Sequence, residues 1–72
     1  MSELKNRLKE LRAREGLNQT ELARLAHVSR QTISLIERGE YTPSVVIALR
    51  IAAIFKEPLE KVFCLKEEDN EE

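Results

Sequence analysis

Residues 17–39 constrain the fold more than any other part of the chain, because they contain two short helical segments joined by a tight turn. The first segment should form a helix from Gln19 to Ala26, with Asn18 as its N-cap residue and Glu21 three positions later. This spacing is typical of a capping box, in which two side chains satisfy backbone N–H groups that the first turn leaves without partners. The pattern therefore predicts a helix with a defined start.

The second helix of this segment should run from Arg30 to Arg38. Ser29 is placed to cap its start, and Gly39 can adopt the left-handed conformation that ends a helix. With about 100° between successive side chains, one side carries Ile33, Ile36 and Glu37. The other side, within an arc of about 140°, carries Arg30, Gln31, Ser34, Leu35 and Arg38. We expect the isoleucines to pack inward and the polar residues to face outward.

The outward residues suit the edges of DNA bases. Arginine can donate two hydrogen bonds to guanine, glutamine can pair with adenine, and a short or apolar group can contact the thymine methyl. The candidate base-reading residues are Arg30, Gln31, Ser34 and Leu35. The alternative is a solvated face on an ordinary bundle helix, and for Leu35 an exposed leucine of no special role.

Four motifs extend this pattern along the chain. They are Leu-Asn-Gln-x-Glu-Leu-Ala, Val-Ser-Arg-Gln-Thr-Ile-Ser-x-Ile-Glu-x-Gly, Thr-Pro-Ser and Ala-Leu-x-Ile-Ala. Over about residues 4 to 63 the chain resembles the Xre-type (Cro and lambda-repressor-like) helix-turn-helix regulators. The resemblance implies a compact all-α domain of five helices that binds a double-stranded DNA operator, usually as a two-fold symmetric homodimer. The Gln19–Ala26 helix would be helix 2 of the five and the Arg30–Arg38 helix would be helix 3, which would then enter the major groove, with half-sites about 34 Å apart.

Several side chains near these helices are candidates for contact with phosphate. Gln19 opens helix 2, where an amide, backbone N–H groups and the positive helix end can hold a phosphate; in the resembled family this glutamine is a phosphate clamp. Asn18 stands at the same place, and a helix cap without a DNA role is an equal alternative. Arg38 and Tyr41 can reach the DNA backbone from the end of helix 3 and the loop after it. For Tyr41, partial packing is the preferred interpretation.

Arg12 and Glu37 should form an ion pair, because helix 1 and the inner side of helix 3 must approach one another in this architecture. The resemblance implies a semi-buried bridge, with Arg12 also near a phosphate. Loss of Glu37 would then leave a poorly solvated cation, at a cost of about 3 to 5 kcal/mol if the pair is fully buried. The alternative is a surface pair worth under about 1 kcal/mol.

The segment before the turn motif predicts helix 1, from about Glu3 to Glu15. Leu4, Leu8 and Leu11 recur there at helical spacing, and Gly16 ends the run. We expect this helix to support the core.

The segment after the turn motif predicts two further helices and no strand. Helix 4 should start after Pro43, with Ser44 as its cap, and continue to about Phe55. Its expected core-facing residues are Val45, Ala48, Leu49 and Ala52. Helix 5 should run from Pro58 to about Phe63 and bury Leu59, Val62 and Phe63. Residues 66–72 are charged and lack apolar side chains, so we expect a disordered acidic tail after a single domain of residues 1–65.

Two positions carry residues where glycine is usual in the resembled family. His27 occupies the turn, where a positive φ angle is expected, and histidine tolerates that region better than most residues. As the only histidine it is interpreted as a turn residue, with no metal ligand role. Lys56 stands where a glycine usually ends helix 4, and the loop before Pro58 is expected to be distorted.

Helix 4 has more apolar surface than a single core needs. Val46 and Ala53 flank Ile47 and Ile54, and together with Phe63 at the end of helix 5 they are candidates for a dimer seam. The alternative, of about equal weight, is a wider core.

Composition is compatible with this interpretation, although the sequence pI is near 5.9. Five of the 13 acidic residues lie among the last six positions, so residues 1–66 carry 12 basic and 8 acidic groups, a net charge of +4. Phosphate contact depends on local clusters, so we expect DNA binding with a modest salt dependence. The chain has no signal peptide or long apolar run, and its single Cys64 fits a reducing cytoplasm, where it should act as a small apolar residue beside Phe63.

The residues do not point to an enzyme. No nucleophile, base and orienting group stand together, and no glycine-rich phosphate loop, metal cluster or cofactor motif is present. We expect a cytoplasmic transcription regulator, most simply a repressor, that binds DNA as a homodimer and uses no cofactor. The alternative is a protein-interaction module of the same fold, antitoxin-like or coactivator-like, with a protein partner in place of DNA.

Overall fold

The computed structural model describes residues 3–66, which form five short helices and a two-stranded sheet. In chain order the elements are β1 (Glu3–Asn6), α1 (Leu8–Glu15), α2 (Gln19–Ala26), α3 (Arg30–Glu37), α4 (Val45–Phe55), α5 (Leu59–Val62) and β2 (Phe63–Lys66). The five predicted helices are present, and α2 and α3 form the predicted pair. Of the predicted tail, Lys66 belongs to β2, and residues 67–72 lie outside the described residues.

Polar side chains cap the starts of α2, α3 and α4, as the sequence predicts. Asn18 Oδ1 accepts from the Glu21 N–H at 2.7 Å, and the Glu21 carboxylate accepts from the Asn18 N–H at 2.8 Å, which completes the capping box. The hydroxyls of Ser29 and Ser44 each accept from the backbone N–H three residues further on. A cap of this kind stabilises a helix by about 1 kcal/mol, so three short helices gain defined starting points.

The core combines the inner faces of all five helices with one residue of β2. Its buried members are Leu8, Leu11, Leu22, Ala23, Ala26, Ile33, Ile36, Ala48, Ile51, Ala52, Phe55, Val62 and Phe63. Burial of a large apolar side chain contributes about 1.5–3 kcal/mol. The two isoleucines of α3 belong to this core, which fixes the rotation of α3 about its axis.

The inner face of α4 differs from the predicted one. Two of the four predicted core residues, Val45 and Leu49, are 70% and 51% exposed, and Ile51 and Phe55 are buried instead. The prediction for these two residues was wrong because nearly every position of α4 is apolar. Hydrophobic periodicity therefore does not single out one face of this helix.

The chain is not all-α, because β1 and β2 pair as an antiparallel sheet in which Leu4 lies opposite Leu65. Helix 1 was predicted to begin at Glu3, but α1 begins at Leu8. Asn6 explains the difference, since its Oδ1 accepts from the Leu8 N–H at 3.0 Å, while its Nδ2 donates to the Ile36 carbonyl at 3.0 Å. The side chain thus starts α1 and links β1 to the end of α3.

The other end of the described chain contains a strand where none was predicted, and helix 5 was expected to continue to about Phe63. α5 ends at Val62, and Phe63 begins β2 with its side chain in the core. Successive side chains of a strand point to opposite faces, so the next residue, Cys64, is exposed. The expectation that Cys64 packs as a small apolar residue was wrong for this reason.

Two non-glycine residues end helices in the left-handed conformation. His27 has φ 62° at the end of α2, which agrees with the prediction, and Lys56 has φ 57° at the end of α4. The N–H of each donates to a carbonyl three residues earlier, at 3.2 Å and 3.1 Å respectively. Lys56 therefore adopts the conformation that a glycine would supply.

Within residues 3–66, no helix is long and apolar enough to cross a membrane. The same residues contain no group of three His, Cys, Asp or Glu side chains placed to hold a metal ion.

Replacement of His27 or Lys56 by glycine should stabilise the fold. A left-handed conformation costs a non-glycine residue about 1–2 kcal/mol, whereas glycine loses about 0.5–1 kcal/mol through its greater freedom when unfolded. We expect each variant to gain up to about 1 kcal/mol in the free energy of unfolding, measured by urea denaturation. As a control, Ala13→Gly within α1 should lose about 1 kcal/mol. Lower stability in both His27→Gly and Lys56→Gly would contradict the strain argument.

Candidate nucleic-acid interface

α3 presents its polar side away from the core. Ile33 and Ile36 are buried, so the opposite side of the helix faces solvent. Of the five predicted contact residues on that side, Arg30, Gln31 and Arg38 are exposed. Ser34 and Leu35 are half-buried. We call this surface the outer face of α3, and it consists of Arg30, Gln31, Ser34, Leu35 and Arg38.

Arg38 is held by two neighbours at the end of α3. Its Nη1 donates to Ser34 Oγ at 2.5 Å, and its Nε donates to the Glu40 carboxylate at 3.2 Å. Both charged side chains are exposed, and an exposed pair of this kind contributes at most about 1 kcal/mol. Arg38 can therefore exchange Glu40 for a phosphate at little cost. Glu40 was not among the predicted site residues, although its position two residues after Arg38 signals a local ion pair.

Asn18 and Gln19 stand together at the start of α2, as predicted. The Asn18 carbonyl oxygen serves as the helix cap, which is the alternative that the sequence left open beside a DNA role. Gln19 is half-buried, and its side chain turns toward α3. The first turn of α2 thus places one amide side chain beside backbone N–H groups at the positive end of a helix dipole.

The structure joins Gln19 to residues at both ends of α3. Its Nε2 donates to Glu37 Oε1 at 3.1 Å, and its Oε1 lies 3.4 Å from Arg30 Nη1, which donates to it. This connection was not predicted from the sequence. The available signal was the separation of Arg30 and Glu37 by seven residues, which places them about 20° apart, where the inner and outer sides of α3 meet.

Arg12 and Glu37 form a two-point ion pair between α1 and α3. Arg12 Nε and Nη2 donate to the two Glu37 oxygens at 2.6 Å and 3.1 Å, and Arg12 Nη1 donates to the Leu17 carbonyl at 3.2 Å. The side chains of Arg12 and Glu37 are only 15% and 8% exposed. The geometry is thus the semi-buried bridge of the prediction, and three of the five guanidinium N–H groups are used within the protein.

Tyr41 lies beside a polar crevice between β1 and the loop after α3. The crevice has a volume of about 360 Å³, and its lining includes Glu3, Asn6 and Arg38. Tyr41 itself is exposed, so its hydroxyl can be reached from solvent near Arg38.

The predicted dimer seam separates into buried and exposed residues. Phe63 is only 7% exposed, and Ile47 and Ile54 are half-buried and pack against the core, which agrees with the wider-core alternative for these three. Val46 is 60% exposed. The exposed apolar residues of α4 lie along one side of the helix, and we call them the α4 stripe: Val45, Val46, Leu49 and Ala53.

Comparison with known proteins agrees with this geometry. The sequence model of the helix-turn-helix family matches residues 8–62. The chain is 47% identical over 66 residues to the uncharacterized HTH-type transcriptional regulator YgzD of Bacillus subtilis, covering 92% of this chain and all of that protein. It is 42% identical over 66 residues to the uncharacterized HTH-type transcriptional regulator MJ0272 of Methanocaldococcus jannaschii, with the same coverage.

A solved structure is also similar to this chain. The restriction-modification controller protein C.AhdI of Aeromonas hydrophila superimposes with a TM-score of 0.71 at 34% identity, covering 76% of this chain and 83% of that chain. The fold and the paired helices define a helix-turn-helix protein. The chain belongs to the Xre-type (Cro and lambda-repressor-like) helix-turn-helix family. Membership indicates DNA binding and transcription regulation.

The Arg12–Glu37 pair should contribute strongly to stability. We expect Glu37→Ala to lose about 3 kcal/mol of unfolding free energy, because it leaves Arg12 poorly solvated and without its partner. Arg12→Ala should lose a similar amount, and the double variant should lose much less than the sum. Urea denaturation of the four proteins measures the coupling. The exposed Arg7–Glu10 pair is a matched control, and solvent screening should leave it with little or no coupling. Additive losses at Arg12 and Glu37 would disprove a cooperative bridge.

Proposed function

We propose that this chain is a sequence-specific double-stranded DNA-binding regulator that inserts α3 into the major groove as a homodimer. The observation that carries the proposal is the outer face of α3, a polar surface on a helix fixed by buried isoleucines, with Gln19 attached to its edge. An occupied operator excludes other proteins from the same duplex, so the simplest regulatory action is repression in the cytoplasm.

The outer face has the chemistry that base recognition needs. Arg30 and Gln31 are exposed on the first turn of α3 and can each make paired hydrogen bonds, to guanine and to adenine respectively. Ser34 and Leu35 follow one turn later, where a hydroxyl can accept or donate and a leucine can contact a thymine methyl. These four residues are the proposed base-reading set.

Phosphate contacts would surround this set on both sides. Gln19 and the first turn of α2 are proposed to hold a phosphate on one side, with Asn18 beside them. Arg38 and Tyr41 are proposed to hold the backbone on the other side. Arg12 has two guanidinium N–H groups left for a phosphate after its contacts to Glu37 and Leu17.

The α4 stripe is the proposed dimer surface. Contiguous exposed apolar surface on a small domain is typical of a protein interface. A second copy is the favoured occupant, because a two-fold axis would pair the stripe with itself and bury its apolar residues in both copies. Two α3 helices about one DNA turn apart would then read a palindrome.

Selection of bound sequences from a random DNA duplex library tests the proposed function. We expect enrichment of a palindrome whose half-sites are about 34 Å apart. Absence of any enriched sequence would contradict the proposal and favour the protein-interaction module.

Two variants of the outer face should separate base recognition from phosphate contact. Gln31→Ala should relax the selected sequence at one position and weaken operator binding by about 1–3 kcal/mol. Arg38→Ala should weaken binding to all sequences uniformly and lower the slope of log affinity against log salt by about 1. Titration of selected and unrelated duplexes at several salt concentrations distinguishes the two. Equal effects of both variants on every duplex would contradict the assigned roles.

Val46→Asp should prevent dimerisation, because it places a charge on the apolar α4 stripe. We expect a monomer by analytical ultracentrifugation, native helical content by circular dichroism, and loss of about tenfold or more in affinity for the full palindrome. Ala13→Asp adds the same charge at an exposed position of α1 and should leave the assembly unchanged. A dimeric Val46→Asp protein would rule out the stripe as the interface.

A further inference from the structure

Gln19 is held from two directions in the protein without DNA. Its amide nitrogen donates to Glu37 at 3.1 Å, and its amide oxygen accepts from Arg30 at 3.4 Å. One side chain of α2 therefore contacts the last residue of α3 and the first. Gln19, a candidate for phosphate contact, is thus hydrogen-bonded to Arg30, a candidate for base reading.

These two contacts decide which way the amide faces. A flipped amide would place its oxygen against the Glu37 carboxylate and its NH₂ group against the Arg30 guanidinium, so that both contacts would become repulsive. Glu37 is itself fixed, because both of its oxygens accept from Arg12 and its side chain is 8% exposed. The carboxylate is thus a rigid support for the amide.

One N–H of the Gln19 amide has no acceptor among residues 3–66. It belongs to the first residue of α2, next to backbone N–H groups that a helix start leaves available for an anion. A donor that is already oriented loses less conformational freedom when it binds, so the affinity of its contact is greater.

We propose that Glu37 is a positioning residue whose carboxylate, held by Arg12, orients the amide of Gln19 toward a phosphate of the DNA backbone. The inference rests on the proposed DNA binding and gives Glu37 a role beyond joining α1 to α3. Because Arg12 balances the charge of Glu37, the carboxylate orients the amide with little repulsion of the phosphate.

The side-chain amides of the free protein give the first test. Gln19 and Gln31 are the two glutamines of the chain, so their NH₂ signals are readily compared by NMR. We expect the Gln19 amide to be rigid in the ¹⁵N heteronuclear NOE and the exposed Gln31 amide to be mobile. Glu37→Asp keeps the charge beside Arg12 but shortens the side chain, and it should make Gln19 mobile. The matched change Glu60→Asp, on the exposed side of α5, should leave Gln19 rigid.

Operator binding gives the second test, with the duplex selected by the wild-type protein as the probe. Gln19→Ala should weaken binding by about tenfold, as expected for loss of a hydrogen bond to a charged group. Glu37→Asp should weaken it by about threefold in the wild-type background. It should have no further effect in the Gln19→Ala background, because it acts through that amide. Affinities are corrected for the folded fraction, measured by urea denaturation.

The outcomes distinguish this inference from the proposed function. A wild-type protein that binds no duplex would overturn both. With wild-type binding intact, a Gln19 amide as mobile as that of Gln31 would overturn the positioning role alone. An equal loss from Glu37→Asp in both backgrounds would do the same, since a purely structural role does not depend on Gln19. If Glu37→Asp does not fold, the mobility of the Gln19 amide in the wild-type protein, compared with that of Gln31, still tests the positioning role.

Discussion

The contact between Arg12 and Glu37 links the helices that form the candidate nucleic-acid interface. An ion pair that is largely removed from water is favourable only while both partners and their remaining hydrogen bonds are in place. Arg12 satisfies this requirement by holding Glu37 of α3 and the Leu17 carbonyl of the loop before α2. One guanidinium group thus links α1, α3 and the loop before α2, in addition to the apolar packing that holds these helices in the core.

Several arginines outside the outer face of α3 donate to backbone carbonyls within the fold. Arg7, Arg14 and Arg50 donate to the carbonyls of Lys61, Phe55 and Ala26, at or near the ends of α5, α4 and α2. Carbonyls at helix ends lack partners within the helix and carry partial negative charge, so these contacts stabilise the termini. The outer face of α3 retains Arg30 and Arg38. For contact with DNA phosphate, the positions of individual cations on this surface therefore matter more than the net charge of the chain.

The parts of the structure that the sequence predicted are those with local signals. The caps at Asn18, Ser29 and Ser44 depend on residues three positions apart, so short stretches of sequence reveal them. The sheet could not be predicted in this way, because its pairing joins distant residues and Leu4 also fits a helical pattern with Leu8. The inner face of α4 was ambiguous because apolar side chains surround the helix.

The candidate site also divides into features that local signals predicted and features that they did not. Family resemblance and helix geometry indicated which residues lie on the outer face of α3, and the structure places them there. The links from Gln19 to Glu37 and Arg30 needed the packed arrangement of α2 against α3, since side-chain hydrogen bonds between separate helices leave no periodic signal. Residues that act by positioning a side chain on another helix are therefore the hardest to identify from sequence.

The sheet of β1 and β2 also has a consequence for the order of folding. Contacts among the helices are mostly short in sequence, whereas the sheet closes a loop that contains nearly the whole described chain, and closure of a long loop costs entropy before its contacts form. Such a two-stranded pair is marginal on its own, so it needs the helical core as a template. The strands should accordingly assemble last, and the Asn6 contact to Ile36 then secures the final turn of α3. In kinetic terms, the end of α3 is completed only when the two ends of the described chain meet.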